Sequence, residues 1–134
     1  MIPSTNSILL SNLEVKTLPS KNYKMHLEHD TINGFCDGIE AMKQVIYKIL
    51  NTERYEYIIY SWNYGVELMD LYGQPVTYVC PELQRRITEA LVQDDRIKSV
   101  DNFKFDISEK GTVKAKFTVS TIFGNIESEK AVNF

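Results

Sequence analysis

Apolar residues recur along this chain in two periods, and the switch between them lays out the elements. From Tyr23 to His29 they alternate, with Tyr23, Met25, Leu27 and His29 on one face and Lys24, His26 and Glu28 on the other, which predicts a strand. Asn33-Gly34 and Asp37-Gly38 are turn signals. Ile39, Met42, Val45, Ile46, Ile49 and Leu50 then recur at helical spacing and predict a helix from Ile39 to Asn51, opened by Asp37 or Gly38. Thr52 to Tyr60 reads as an extended segment or short strand, Ser61 to Gly65 as a turn, and Val66 to Tyr72 as one or two helical turns ended by Gly73. Gln74 to Tyr78 connects to a second helix from Pro81 to Val92, with the proline in the first turn, where its missing N–H costs nothing. Leu83, Ile87, Ala90 and Leu91 form the stripe of that helix, with Arg85, Arg86 and Glu89 largely off it.

The last third is strand. Phe103, Phe105 and Ile107 share one face of a predicted strand from Ile97 to Ile107, with Lys104 and Asp106 on the other. Ser108 to Gly111 reads as a hairpin turn. In the return strand, Val113 to Ile122, the residues Val113, Ala115, Phe117 and Val119 face in, while Lys114, Lys116, Thr118 and Ser120 face out. Gly124 breaks that strand, and 125–134 reads as a polar tail. Residues 1–22 lack a period, carry a short apolar patch at Ile8, Leu9 and Leu10, and read as an extended arm. The expected fold is α+β: two main helices packed on an antiparallel sheet that ends in a long C-terminal hairpin, with 23–124 as the single domain.

Composition narrows the function classes. A chain of 134 residues with 43% hydrophobic and 25% charged residues suits one globular domain. No apolar run is long enough to span a membrane. Met1 to Leu13 has neither a basic start nor a small-residue cleavage site, so no signal peptide is expected. The net charge is -3 and no basic run occurs, which disfavours direct nucleic-acid binding. Cys36 and Cys80 match no metal spacing and read as reduced, unpaired thiols of a protein folded in a reducing cytoplasm.

The candidate chemistry is thin. His26 and His29 are three apart on a predicted strand, so they point to opposite faces and make a poor metal pair. Glu53, Glu56, Glu67 and Asp70 are the acids nearest a tyrosine-rich stretch, and a glycoside hydrolase would need two of them across a cleft. There is no Gly-rich phosphate loop, nucleophile motif or HExxH. Tyr55, Tyr57, Tyr60, Trp62, Tyr64 and Tyr72 are dense enough either to pack the core rim or to form a protein interface. Arg54 and Arg96 each follow an acid near an element end; they read as surface ion pairs or as buried forked arginines that fix loops or grip a neighbour. Neither a cofactor nor an enzymatic activity is expected.

The segment Thr52-Glu53-Arg54-Tyr55 through Tyr64-Gly65-Val66-Glu67-Leu68, framed by Asp37-Gly38, Ala41 and Gln44 before it and Leu71-Tyr72-Gly73 after it, resembles the XkdS-like baseplate proteins of PBSX-type contractile tails. These lie within a wider gene-product-25-like baseplate wedge family, which carries a Glu-Pro-Arg motif after its second helix. The matching place here reads Asp94-Asp95-Arg96-Ile97, with the arginine kept and the proline absent. The resemblance covers about residues 23–122 and implies structural work. The fold would be similar to the strand-accepting domain of the sheath subunit. The chain would dock on other baseplate wedge proteins, on the sheath subunit and on tube or hub proteins, in a ring of roughly six copies. Assembly would take place in the bacterial host cytoplasm, and the particle baseplate would be the final location. Partner binding is expected at Arg54, Tyr64, Gly65, Asp94 and Arg96, with Phe117 and Val119 on the hairpin strand. The alternatives are a peptidoglycan-cleaving, lysozyme-like enzyme and a tail adaptor outside the baseplate.

Overall fold

The computed structural model describes residues 19–133. In chain order the elements are β1 (Asn22–His26), β2 (Thr31–Cys36), α1 (Gly38–Leu50), a single 3-10 turn (Met69–Leu71), α2 (Val76–Val92), β3 (Ile97–Asp106), β4 (Thr112–Thr121) and β5 (Gly124–Asn133). Strands β1 and β2 pair as an antiparallel hairpin, and β3-β4-β5 form an antiparallel sheet in sequence order. This is the α+β class expected from the patterning. The arm anticipated over 1–22 falls mainly on residues outside the described range, the Ile8–Leu10 patch among them, and Asn22 already belongs to β1.

The core lies between the two helices and one face of the three-stranded sheet. Met42, Ile46 and Leu50 of α1 meet Val79, Leu83, Ile87 and Leu91 of α2 above Val113, Ala115, Phe117 and Val119 of β4. Each buried Val, Leu, Ile, Met or Phe among them contributes about 1.5–3 kcal/mol relative to exposure. The alternation along β4 is therefore as the pattern required.

Four stretches among the main strands and helices depart from the sequence expectation. First, β1 ends at His26 and residues 27–30 form a turn, after which β2 takes up Asn33-Gly34, a pair that signals a turn in isolation. Second, α2 begins at Val76, five residues ahead of the proline. Val79, fully buried, continues the Leu83–Ile87 stripe backwards by one turn, and its burial outweighs the single bond that Pro81 cannot donate. Third, Asn102 takes a left-handed φ of 56° where the β3–β4 register shifts between Asp101 and Lys104. That bulge turns both Val100 and Phe103 toward the core, where strict alternation would have separated them. Fourth, residues 125–133 are no tail. A two-residue turn joins Thr121 to Gly124, and β5 then pairs with β4 in unbroken register from Thr121↔Gly124 to Thr112↔Asn133, burying Ile126 and Val132.

Candidate docking site

The Thr52–Leu68 segment is a loop tied at its base. Arg54 N–H donates to the Val66 carbonyl at 3.2 Å, and Val66 N–H to the Thr52 carbonyl at 3.0 Å. The Glu53 carboxylate accepts from the Leu68 and Met69 N–H groups at 2.9 and 3.1 Å, which fixes the start of the 3-10 turn. Arg54 Nε donates to the Gly65 carbonyl at 3.3 Å and Nη1 to Glu89 of α2 at 3.3 Å, so one guanidinium joins both arms of the loop to the helix. Gly65 has φ +91° and lies against the Thr52 carbonyl, so a side chain there meets both a forbidden conformation and an occupied space.

Between these arms the chain projects. Tyr55, Tyr57, Ile58, Ile59 and Trp62 are all more than half exposed, with Ile58 at 102% and Ile59 at 86%. The segment is turn and bend rather than the strand expected over Thr52 to Tyr60. Tyr60 stacks on Tyr64 at 4.5 Å and meets Tyr57 edge-on at 6.1 Å, which stiffens the loop from inside. Of the two readings of the aromatic cluster, core-rim packing holds for Tyr64 alone, which is half-buried and packs on the core.

The loop rests on the C-terminal end of α2. Asn63 bonds Gln93 at 3.1 Å. Burial, then the neighbouring Tyr60 and Asp94, push the Tyr64 phenol above its ordinary pKa. Asp94 in turn accepts from Arg96 Nε and Nη2 at 2.9 and 2.8 Å and from its backbone N–H at 2.9 Å. The Arg96 hydrogen bonds hold the Asp94 carboxyl below the usual carboxylate range. The Arg96 carbonyl accepts from Ile122 N–H at the β4–β5 turn. Arg54, Tyr64, Gly65, Asp94 and Arg96 thus gather around one end of α2. Phe117 and Val119 do not join them. They lie 2% and 0% exposed on the core face of β4, the central strand, so the expectation that they contact a partner gives way to a core role.

Two residues do more than the sequence reading assigned to them. Arg86, placed off the buried stripe, is only 8% exposed. It donates to the Glu67 carbonyl at 3.1 Å, to Asp70 through both terminal nitrogens, and to Glu82 at 3.2 Å, so it clamps the Glu67–Leu71 turn to α2. Its spacing three residues after Leu83 and one before Ile87, with Glu82 four residues back, was the available signal. Gln44, buried on α1, donates to the Tyr23 carbonyl at 2.7 Å and accepts from Met25 N–H at 3.0 Å. Its side-chain amide thereby serves as a partner strand for the outer edge of β1.

Two of the four acids of a lysozyme-like reading, Glu53 and Asp70, are engaged in this architecture. Glu53 holds two backbone N–H groups. The Asp70 carboxyl, bonded to Arg86, is held below its ordinary range, opposite to the elevation that a general acid requires. Among the described residues no group of three or more His, Cys, Asp or Glu is placed to hold a metal ion, and no helix is long and apolar enough to cross a membrane.

The site is a tied loop braced on a helix end, beside a sheet whose outer strands β3 and β5 pair with β4 alone among the described residues. The contractile injection system sheath initiator family matches residues 17–124, which include both the Thr52–Leu68 loop and the Asp94–Arg96 pair. The chain belongs to this family. Among its relatives is the phage-like element PBSX protein XkdS of Bacillus subtilis strain 168, 39% identical over 117 residues that span 84% of this chain and 82% of the relative. The sheath initiator match makes this a structural protein of a contractile tail or tail-like particle, in line with the resemblance seen in the sequence.

Proposed function

We propose that this sheath initiator is a baseplate subunit that docks on neighbouring wedge proteins and offers the outer edge of β5 as the template on which sheath assembly begins, working by binding and not by catalysis. The observation that carries the reading is the contrast between the two edges of the three-stranded sheet. The β3–β4 ladder is broken by register shifts between Ile97 and Ser99 and between Asp101 and Lys104, the kind of irregularity that blunts an edge. β5 runs ten residues in continuous register and pairs with β4 alone among the described residues. A strand from a sheath subunit would add there through main-chain hydrogen bonds. A ring of copies would multiply a modest contact by effective concentration. The partner-facing residues on the wedge side would be the cluster of Arg54, Tyr64, Gly65, Asp94 and Arg96, acting through the loop they brace. Particle assembly in the bacterial host cytoplasm and a final place in the baseplate belong to the same reading.

A proline scan of β5 at Asn125, Ser128, Glu129 and Lys130 tests it. Successive strand residues direct their N–H groups to opposite sides, so prolines of one parity remove a bond to β4 and destabilise the domain. Prolines of the other parity remove only an outward donor. Those variants should fold, enter the baseplate and give tails without attached sheath in electron micrographs. Normally sheathed particles carrying every fold-neutral proline would refute the β5 assignment.

A further inference from the structure

We propose that the tip of the Tyr55–Trp62 loop is a separate docking element, a preformed apolar knob that inserts into an apolar pocket with a cationic rim on another protein of the particle. The inference rests on the baseplate reading for where that partner is found, but not on the β5 edge.

Three features of the loop carry it. Its tip is apolar: Ile58 and Ile59 are 102% and 86% exposed, flanked by Tyr55, Tyr57 and Trp62 at 63%, 55% and 77%. Adjacent exposed isoleucines between aromatics make a contiguous apolar surface of the kind that marks an interaction site in a soluble chain. Aromatic residues, tyrosine and tryptophan above all, supply large contact area at low entropic cost and dominate binding hot spots.

The loop is also held in shape. Tyr55 opens it in a left-handed conformation with φ 70°, and the Gly65–Thr52 contact and the Arg54 fork close it. Tyr60, stacked on Tyr64 and edge-on to Tyr57, braces the interior. A loop already ordered gives up little freedom on binding, so its apolar area converts to affinity more fully.

Charge then selects the partner. From Tyr55 through Gln84 the chain has no lysine or arginine, and its charged residues are Glu56, Glu67, Asp70 and Glu82. The arginines that flank this stretch in the chain are already paired, Arg54 with Glu89, Arg85 with Glu82 and Glu89, and Arg86 with Asp70 and Glu82. Among the described residues the tip therefore presents one carboxylate without an ion-pair partner, Glu56, beside its apolar residues. Anionic lipid repels such a surface, whereas membrane-surface segments carry lysine or arginine beside their aromatics. A convex tip with an acid at its flank fits a concave apolar pocket rimmed by lysine or arginine.

The test places the photocrosslinker p-benzoylphenylalanine at Ile58 in the full chain and irradiates purified particles. The expected product joins the tip to an apolar peptide of a different particle protein, flanked by basic residues. An I58D/I59D variant, altered only at exposed positions, should melt with the wild type yet enter particles at least about tenfold less, as for a hot spot. E56K should also lower incorporation. Crosslinks only to a second copy of this chain, or none in particles that contain it, overturn the knob while leaving the β5 reading intact. Binding of the wild type to phosphatidylglycerol vesicles that I58D/I59D abolishes assigns the tip to membrane and overturns it as well. If the chain is absent from particles, the baseplate reading and the knob fall together.

Discussion

A Cβ built on Gly65 would come within 2.6 Å of the Thr52 carbonyl oxygen, at a backbone φ of +91°. The two arms of the apolar loop are therefore locked together by the absence of a side chain. Gly65→Ala meets strain and overlap at once, and it should cost about 2–4 kcal/mol of stability. Urea titration of the purified variant measures it. A loss below about 0.5 kcal/mol, the scale of an ordinary surface change, would mean the loop base adapts freely.

Arg86 and Asp70 form an ion pair with unequal stakes. Arg86 is buried and serves the Glu67 carbonyl and Glu82 as well, whereas the Asp70 side chain is 66% exposed. Arg86→Ala should cost about 2–4 kcal/mol because it leaves a cavity and unpaired acceptors. Asp70→Ala should cost under about 1 kcal/mol. Thermal melts of both variants check the ordering.

Acid should destabilise the fold through Asp94. Its folded pKa is lowered, chiefly by the Arg96 hydrogen bonds, so its contribution is complete above the unfolded carboxylate value and is lost as pH falls through the lower folded value. Asp37, Asp70 and Asp106 are lowered in the same direction. Stability should hold from about pH 7 to pH 5 and fall below roughly pH 4. Asp94→Asn should be less stable at neutral pH, and its acid decline shallower. Urea midpoints across pH read both effects.

Ending the chain after Phe123 removes β5 together with Ile126 and Val132 of the core. Two buried aliphatic side chains alone account for about 3–6 kcal/mol, and the β4 ladder loses one whole side. The truncated protein should lack a cooperative melt by circular dichroism. A wild-type melt would restore the tail reading.

What the sequence conveyed follows from how far one period ruled each segment. β4 was legible because Val113, Ala115, Phe117 and Val119 alternate with polar residues without interruption. β5 was not, because Ser128 and Lys130 occupy the core-facing parity between Ile126 and Val132. Lys130 is tolerated there because its ammonium reaches Asn51 at the end of α1, although burial lowers its pKa. β2 was hidden by Asn33-Gly34 and by having Cys36 as its sole buried residue. The loop base was partly legible: Arg54 read as a possible forked arginine, and that is what it is, while the same role went to Arg86 unnoticed. The exposure of Ile58 and Ile59 had no local signal, since an apolar pair reads the same in a core and on a tip.

The central claim is that β5 receives a strand from the sheath. A cryo-electron microscopy reconstruction of the baseplate–sheath junction tests it most directly. The account predicts this chain at the last layer before the sheath, with a sheath segment paired along the outer edge of Gly124–Asn133. A junction in which that edge faces solvent and the sheath rests on other surfaces would contradict it.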